Sequence, residues 1–209
     1  MNIAVLASHQ GTTLQAVLDA CAAGAIDARV ALIISNNAGS GALARARTAG
    51  VPALHLSGST HADPAALDAA IASALEQHAV DLVLLAGYMK RLGPRTLARY
   101  AGRILNTHPA LLPRHGGPGM YGMHVHRAVL AAGEPESGAT VHLVEADYDS
   151  GPVIAQVRVP VEAGDTPETL AERVQQAERA QLTQVLAQIA AGRRRLPGLA
   201  PGRSGGPPG

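Results

Sequence analysis

The chain has 209 residues, of which 47% are hydrophobic and 16% charged, and its formal net charge is +1. That length fits one sizeable domain with a true core, and the apolar content excludes a chain that is disordered throughout. A near-neutral balance gives no electrostatic footprint for nucleic acid, and four Tyr with no Phe or Trp offer few surfaces for base stacking. We therefore expect a globular protein that does not bind DNA or RNA.

The single cysteine, Cys21, excludes an intrachain disulfide and a cysteine-rich zinc site. The first residues carry no basic leader, and no run approaches the roughly 18 apolar residues that a membrane-spanning helix needs. We expect a cytoplasmic protein without metal or membrane contact, either a monomer or a homodimer.

Short apolar runs alternate with helical patterns over the first half of the chain. The runs predict strands at 2–7, 29–34, 52–57, 81–86 and 103–107. The helical patterns lie between them, from Gly11–Thr13 to Ala23, after the loop 35–37 to about Gly50, and from Asp63–Pro64 to about His78. Continuous apolar strands separated by helices are typical of a parallel sheet covered on both faces. Such sheets bind ligands beyond the carboxyl ends of their strands.

The pattern changes after residue 108. A Pro/Gly-rich loop at 109–123 is longer than ordinary connections, which makes it a candidate functional loop. A short helix from His124 then leads to strands at 139–145 and 153–161, which are expected to pair as a hairpin across 147–151, and a final helix covers 167–191. We expect one domain at 1–192 and a flexible Arg/Pro/Gly-rich tail at 193–209.

The run Asn106-Thr107-His108-Pro109 follows a buried apolar strand. Residues two apart on a strand share a face, so Asn106 and His108 are predicted to project together into the crevice. An amide donor beside an imidazole can stabilise an oxyanion and move a proton. A lone histidine is more often structural, but its position and the paired amide favour a catalytic interpretation.

Two loops are weaker candidates. Gly11, Thr12 and Thr13 open a helix, where free N–H groups suit a phosphate, although a simple helix cap is equally consistent with this stretch. Asp149 lies in a turn whose residues are ordinary for a hairpin, and it reaches His108 if that turn folds toward the sheet.

The remaining histidines carry less argument. His124 and His126 lack the companions of a metal site, and His142 is interpreted as a buried structural side chain. No nucleophile–base motif is present, which favours direct transfer over a covalent intermediate.

Together these stretches resemble the folate-dependent phosphoribosylglycinamide formyltransferases. The matching segments are 1–6, 11–15, 81–92, 104–113, 138–142, 149–154, 164–166 and 175–178. The string Asn-x-His-Pro-x-Leu-Leu-Pro with a later Asp-x-Gly-Pro is a specific signature of folate-dependent formyl transfer. The resemblance, with the element pattern, implies an α/β fold: a Rossmann-like, mostly parallel sheet with helices on both faces, a C-terminal hairpin and a long final helix.

The resemblance also implies roles for individual residues. An amine attacks the formyl carbon of 10-formyltetrahydrofolate, the co-substrate, and the acceptor is glycinamide ribonucleotide. His108 becomes the general acid, Asn106 steadies the oxyanion, and Asp149 raises the pKa of His108 and relays protons.

Two binding sets follow from the resemblance. The folate set is Met89, Lys90, Arg91, Leu92, Asn106, Glu145, Ala146, Asp147, Tyr148 and Asp149. The ribonucleotide set is Gly11, Thr12, Thr13, Gln175, Gln176, Ala177 and Glu178.

Two alternatives stay open. One is formyltetrahydrofolate deformylase, which uses water as the acceptor and usually carries an N-terminal regulatory domain, whereas the first strand here starts at residue 2. The other is a non-catalytic nucleotide-binding module.

Overall fold

The computed structural model describes residues 1–199. Its strands are β1 Asn2–Leu6, β2 Arg29–Ser35, β3 Ala53–His55, β4 Leu82–Leu85, β5 Ile104–His108, β6 Glu136–Leu143 and β7 Val153–Pro160. Its helices are α1 Thr12–Ala22, α2 Gly41–Thr48, α3 Pro64–Gln77, α4 Pro94–Arg99, α5 Met123–Ala131 and α6 Pro167–Ala190. The short helix α4 was not predicted from the sequence, and β6 starts three residues earlier than the predicted 139.

The seven strands form one sheet in the order β3-β2-β1-β4-β5-β6-β7. Strands β1 to β5 are parallel, whereas β6 runs antiparallel to both β5 and β7. The chain builds outward from β1 to β3 and then returns to place β4 on the other side of β1. This reversal opens a crevice at the carboxyl ends of β1 and β4, and the topology confirms the predicted α/β fold with its hairpin.

Alternate side chains of each central strand enter two separate cores. Ile3 and Val5 of β1 pack with α1, α2 and α6, while Ala4 and Leu6 pack with α3 and α4. All four side chains are fully buried. The period-two alternation of a strand therefore gives the sheet helices on both faces.

The first part of the predicted tail is not free of the domain. Leu196 is 3% exposed, the Arg194 guanidinium donates to the Ile154 carbonyl at 2.5 Å, and Gly198 N–H donates to the Gly102 carbonyl at 3.2 Å. An apolar side chain and hydrogen bonds to backbone carbonyls therefore place 193–199 against the domain, and the flexibility expected of the tail stays a prediction. The predicted tail beyond it, 200–209, lies outside the described residues.

No helix within residues 1–199 combines the length and the apolar character that crossing a membrane requires.

Candidate active site

Adjacent antiparallel strands place an amide beside an imidazole. Asn106 of β5 lies opposite His142 of β6, and Asn106 Nδ2 is 3.1 Å from His142 Nε2. The other ring nitrogen, Nδ1, lies 2.8 Å from the Leu143 carbonyl. In the neutral ring whose Nδ1 donates to Leu143, Nε2 accepts one N–H of Asn106. The second amide N–H of Asn106 then stays available to a ligand.

Asp149 closes this group from the turn that joins β6 to β7. Its Oδ2 lies 3.5 Å from His108 Nδ1, and its Oδ1 lies 3.5 Å from His142 Nε2. Gly117 N–H donates to Oδ2 at 2.9 Å. The backbone of Asp149 has φ +54°, a left-handed conformation that Asp tolerates better than most residues. The structure therefore brings together the three predicted catalytic residues and adds His142 to them.

His108 is almost completely buried, with 4% of its surface exposed. Its Nδ1 faces Asp149, and its Nε2 donates to the His115 carbonyl at 2.7 Å. Burial lowers the pKa of His108, whereas Asp149 and the His115 carbonyl raise it, and burial prevails. Asp149 thus acts in the predicted direction, although desolvation of the imidazolium outweighs the carboxylate.

The opposite balance holds at Asp149. Burial acts to raise its pKa, but a hydrogen bond from the protonated form of His142, the charge of His108 and the Gly117 N–H together hold the pKa of Asp149 below its usual value. The Asp149 carboxylate is therefore ionised at neutral pH.

One groove joins the two predicted folate segments. Side chains from both segments line it: Lys90, Arg91, Leu92, Glu145, Ala146, Asp147, Tyr148 and Asp149, together with Asn106 and His142. The Arg91 guanidinium stacks over the Tyr148 ring, 5.1 Å from its centroid, and lies 3.6 Å from Asp147. Tyr148 is 52% exposed, so this pair presents an aromatic face and a cation at the surface of the groove.

Met89 lies beside this groove and is held by its backbone. Its N–H donates to Ser8 Oγ at 2.7 Å, and that hydroxyl donates to Asn36 Oδ1 at 2.5 Å. Ser8 is buried at the end of β1. Its hydroxyl therefore ties the end of one strand to the segment that follows β4.

The loop between β1 and α1 is packed tightly against α2. Gly11 has φ +69°, and a Cβ there would lie 2.9 Å from Ala42 Cα. Ala42 N–H donates to the His9 carbonyl at 3.1 Å, and Arg45 Nε donates to the Gln10 carbonyl at 2.8 Å. Both the positive φ and the close contact with Ala42 therefore require glycine at position 11. The backbone just before α1 is held in a fixed position by these contacts.

Glu178 of α6 reaches across to this loop. Its Oε1 accepts hydrogen bonds from Thr13 Oγ1 and Thr107 Oγ1, each at 3.2 Å. Burial raises the pKa of Glu178, and the two hydroxyls oppose that rise. Gln175 and Gln176 are exposed on the same helix. Glu178 therefore contacts the predicted phosphate loop, and the Thr13 hydroxyl donates its hydrogen bond to this carboxylate.

Sequence reasoning missed three contributors to this site. His142 was interpreted as structural, and neither the His115 carbonyl nor the Gly117 N–H carried any signal, because backbone groups have no residue type to recognise. His142 becomes visible once β6 is known to pair with β5 in antiparallel register.

Among residues 1–199, no group of three or more His, Cys, Asp or Glu side chains is arranged to hold a metal ion.

Comparison with known proteins gives the family. Residues 1–186 match the formyl transferase family. The phosphoribosylglycinamide formyltransferase of Escherichia coli is 41% identical over 94% of this chain and 90% of its own length. This chain belongs to the phosphoribosylglycinamide formyltransferase family.

Two further members of this formyltransferase family give the same picture. The phosphoribosylglycinamide formyltransferase of Mycobacterium tuberculosis is 44% identical over 90% of this chain and 85% of its own length. The crystal structure of glycinamide ribonucleotide transformylase 1 from Symbiobacterium toebii superposes with a TM-score of 0.86, at 42% identity, over 96% of this chain and 94% of that one. The similarity therefore extends through both the sheet and the final helix.

Proposed function

We propose that this chain transfers the formyl group of 10-formyltetrahydrofolate to the amine of glycinamide ribonucleotide, as the names of its relatives suggest. The observation that carries the proposal is the meeting of Asn106, His108 and Asp149 in one group, with His142 between them. This group lies beside the groove lined by 90–92 and 145–149. A formyl carbon placed between this group and the groove would lie near the amide donor Asn106 and the buried acid His108.

The reaction exchanges one C–N bond for another. The amine nitrogen of the ribonucleotide attacks the formyl carbon, and the carbonyl oxygen becomes an oxyanion. The free N–H of Asn106 stabilises that charge in a site shielded from water. The bond from the formyl carbon to N10 of the folate then breaks, and N10 takes a proton while the attacking amine loses one, so protons balance over the turnover.

His108 supplies the proton in this scheme. As imidazolium it donates from both nitrogens, toward Asp149 and toward the His115 carbonyl in the free protein. When folate is bound, the departing N10 replaces the His115 carbonyl as the acceptor of the Nε2 proton, while Asp149 stays on Nδ1 and stabilises the charged ring before the transfer. The proton released by the amine then returns to His108 within the same site.

The two substrates have chemistries that suit the two halves of the crevice. A folate carries a flat aromatic system and carboxylates, which fit the Tyr148 ring and the cations of Lys90 and Arg91. The ribonucleotide phosphate fits the N-terminus of α1 at Gly11 and Thr12, where backbone N–H groups are free of helical partners. Glu178 lies next to that terminus and offers a carboxyl to the ribose hydroxyls or amine.

A spectrophotometric transfer assay with a folate analogue tests the proposal. We expect turnover that depends on added glycinamide ribonucleotide and releases one deformylated folate for each formylated product. Equal turnover without the ribonucleotide would assign the protein as a deformylase. No turnover in either case, with binding retained, would assign it as a nucleotide-binding module.

A further inference from the structure

Residues 114–117 form a loop that covers His108. The carboxylate of Glu134, just after α5, holds two side chains of this loop. Glu134 Oε2 accepts a hydrogen bond from Arg114 at 2.6 Å, and its Oε1 lies 3.4 Å from His115 Nε2. Glu134 is therefore bound to two consecutive loop residues at once. Its side chain is 18% exposed, so much of this contact is shielded from water.

The backbone between these anchored side chains reaches the catalytic group. The His115 carbonyl accepts the His108 Nε2 proton at 2.7 Å, and the Gly117 N–H donates to Asp149 at 2.9 Å. Gly116 lies between them, and a Cβ there would lie 2.4 Å from Leu112 Cδ2. The segment 115–117 thus passes close over the site, with a carbonyl and an N–H aimed at the two partners of one ion pair.

An imidazole flanked by two acceptors is best satisfied when it is charged. The Asp149 carboxylate faces Nδ1, and the His115 carbonyl faces Nε2. A neutral ring has one N–H and leaves one of these acceptors facing a lone pair, whereas the imidazolium donates to both. The carbonyl therefore favours the protonated form that a general acid needs, against the opposing effect of burial.

We propose that Glu134 is a positioning residue for His108: by holding Arg114 and His115 it fixes the loop so that, in the free protein, the His115 carbonyl stays on Nε2 and favours the charged ring. The mechanistic meaning of this inference rests on the proposed function, in which His108 is the acid. The coupling itself is a property of the free protein.

Several other groups act on the same ring and need to be held constant. The charged or titratable side chains that influence His108 from the elements around it are Asp149, His142, His115 and His126. Glu134 and Arg114 act on His115 from outside this set. Glu136 supplies a matched control, since it also pairs with Arg114, at 3.8 Å, but its other ion-pair partner is Arg158 rather than His115.

The test is an NMR titration of the full-length protein labelled at its nine histidines, with the His108 signal assigned by its loss in His108→Asn. In Glu134→Ala we expect the pKa of His108 to fall by about half a unit or more, because one acceptor of the imidazolium is lost. Glu136→Ala, which also removes one carboxylate next to Arg114, should leave the His108 titration within error of the wild type. In the transfer assay, the alkaline limb of kcat/KM, which reports ionisation of the free enzyme, should move to lower pH in Glu134→Ala in parallel with the titration.

A second variant separates position from charge. Glu134→Gln keeps an oxygen that can accept from Arg114 but removes the charge, so the pKa of His108 should stay closer to the wild-type value than in Glu134→Ala. An unchanged His108 titration in Glu134→Ala, or an equal shift in Glu134→Gln or in Glu136→Ala, overturns the inference. Failure of the proposed function has a different signature, namely an inactive wild type or an active His108→Ala, and neither result alters the titration.

Discussion

At the scale of single residues, the site depends on opposing effects on two neighbouring ionisable groups. Burial lowers the pKa of His108, and charge and hydrogen bonding hold the pKa of Asp149 below its usual value. Asp149 is therefore ionised next to His108, where its charge stabilises an imidazolium that burial disfavours. Pairs of groups whose environments separate their titrations in this way are typical of acid–base sites.

Replacement of His108 by alanine tests this arrangement. We expect His108→Ala to lower kcat by about 10²-fold or more, because general acid catalysis contributes on the order of 10²–10⁴. Binding of glycinamide ribonucleotide, measured by calorimetry, should change little, because the predicted phosphate loop lies between β1 and α1 and does not include His108. The control is His124→Ala, at an exposed histidine of α5. Wild-type turnover in His108→Ala would exclude His108 as the acid.

At the scale of elements, one side chain of α3 determines how α4 begins. Asp68 is buried, and its carboxylate accepts hydrogen bonds from Arg95 N–H at 2.7 Å, Thr96 N–H at 3.0 Å and Thr96 Oγ1 at 2.6 Å. Gly93, the N-cap of α4, supplies no side chain, and a Cβ there would lie 2.2 Å from Asp68 Cγ. A remote carboxylate thus caps the helix that follows Met89–Leu92, the segment predicted to bind folate.

The substitution Asp68→Ala should therefore affect both stability and folate binding. We expect the free energy of unfolding to fall by about 2 kcal/mol, since buried N–H groups lose their acceptor. The KM for the folate substrate should rise as the segment before α4 loosens. Asp63→Ala is the matched control, because Asp63 caps α3 through Ala65 and Ala66. The KM of Asp63→Ala for the folate substrate should stay unchanged. An equal KM in Asp68→Ala and Asp63→Ala would show that α4 does not position the groove.

At the scale of the whole molecule, the chain after α6 returns to the body of the protein. Leu196 joins the core formed with α1, α2 and α6, and Arg194 and Gly198 bond to backbone carbonyls of other elements. The folding unit therefore includes residues that composition alone assigned to a tail.

Removal of the Leu196 side chain measures this contribution. Leu196→Ala should lower the free energy of unfolding by about 2–4 kcal/mol, as for other buried leucines. Denaturant titration followed by circular dichroism gives the value. Arg195→Ala, at an exposed neighbour, should stay within about 0.5 kcal/mol of the wild type. A Leu196→Ala protein as stable as the wild type would mean that 193–199 adds nothing to the fold.

The sequence was enough to predict the α/β fold, the order of the strands along the chain, and Asn106 and His108 as a pair on one strand face. These follow from local periodicity: apolar strands alternating with helices predict a parallel sheet, and residues two apart share a face. The short helix α4 was not predicted, because its N-terminal cap comes from Asp68 of another helix and leaves no local signal.

Packing between distant segments determines which other groups meet that pair. His142 reaches Asn106 through the antiparallel β5–β6 register, and Asp149 reaches both histidines through the fold of its turn. The His115 carbonyl and Gly117 N–H enter through a loop whose path depends on Glu134. Contacts between segments distant in the chain, and the burial that sets the pKa of His108, are created by packing and leave no local pattern in the sequence.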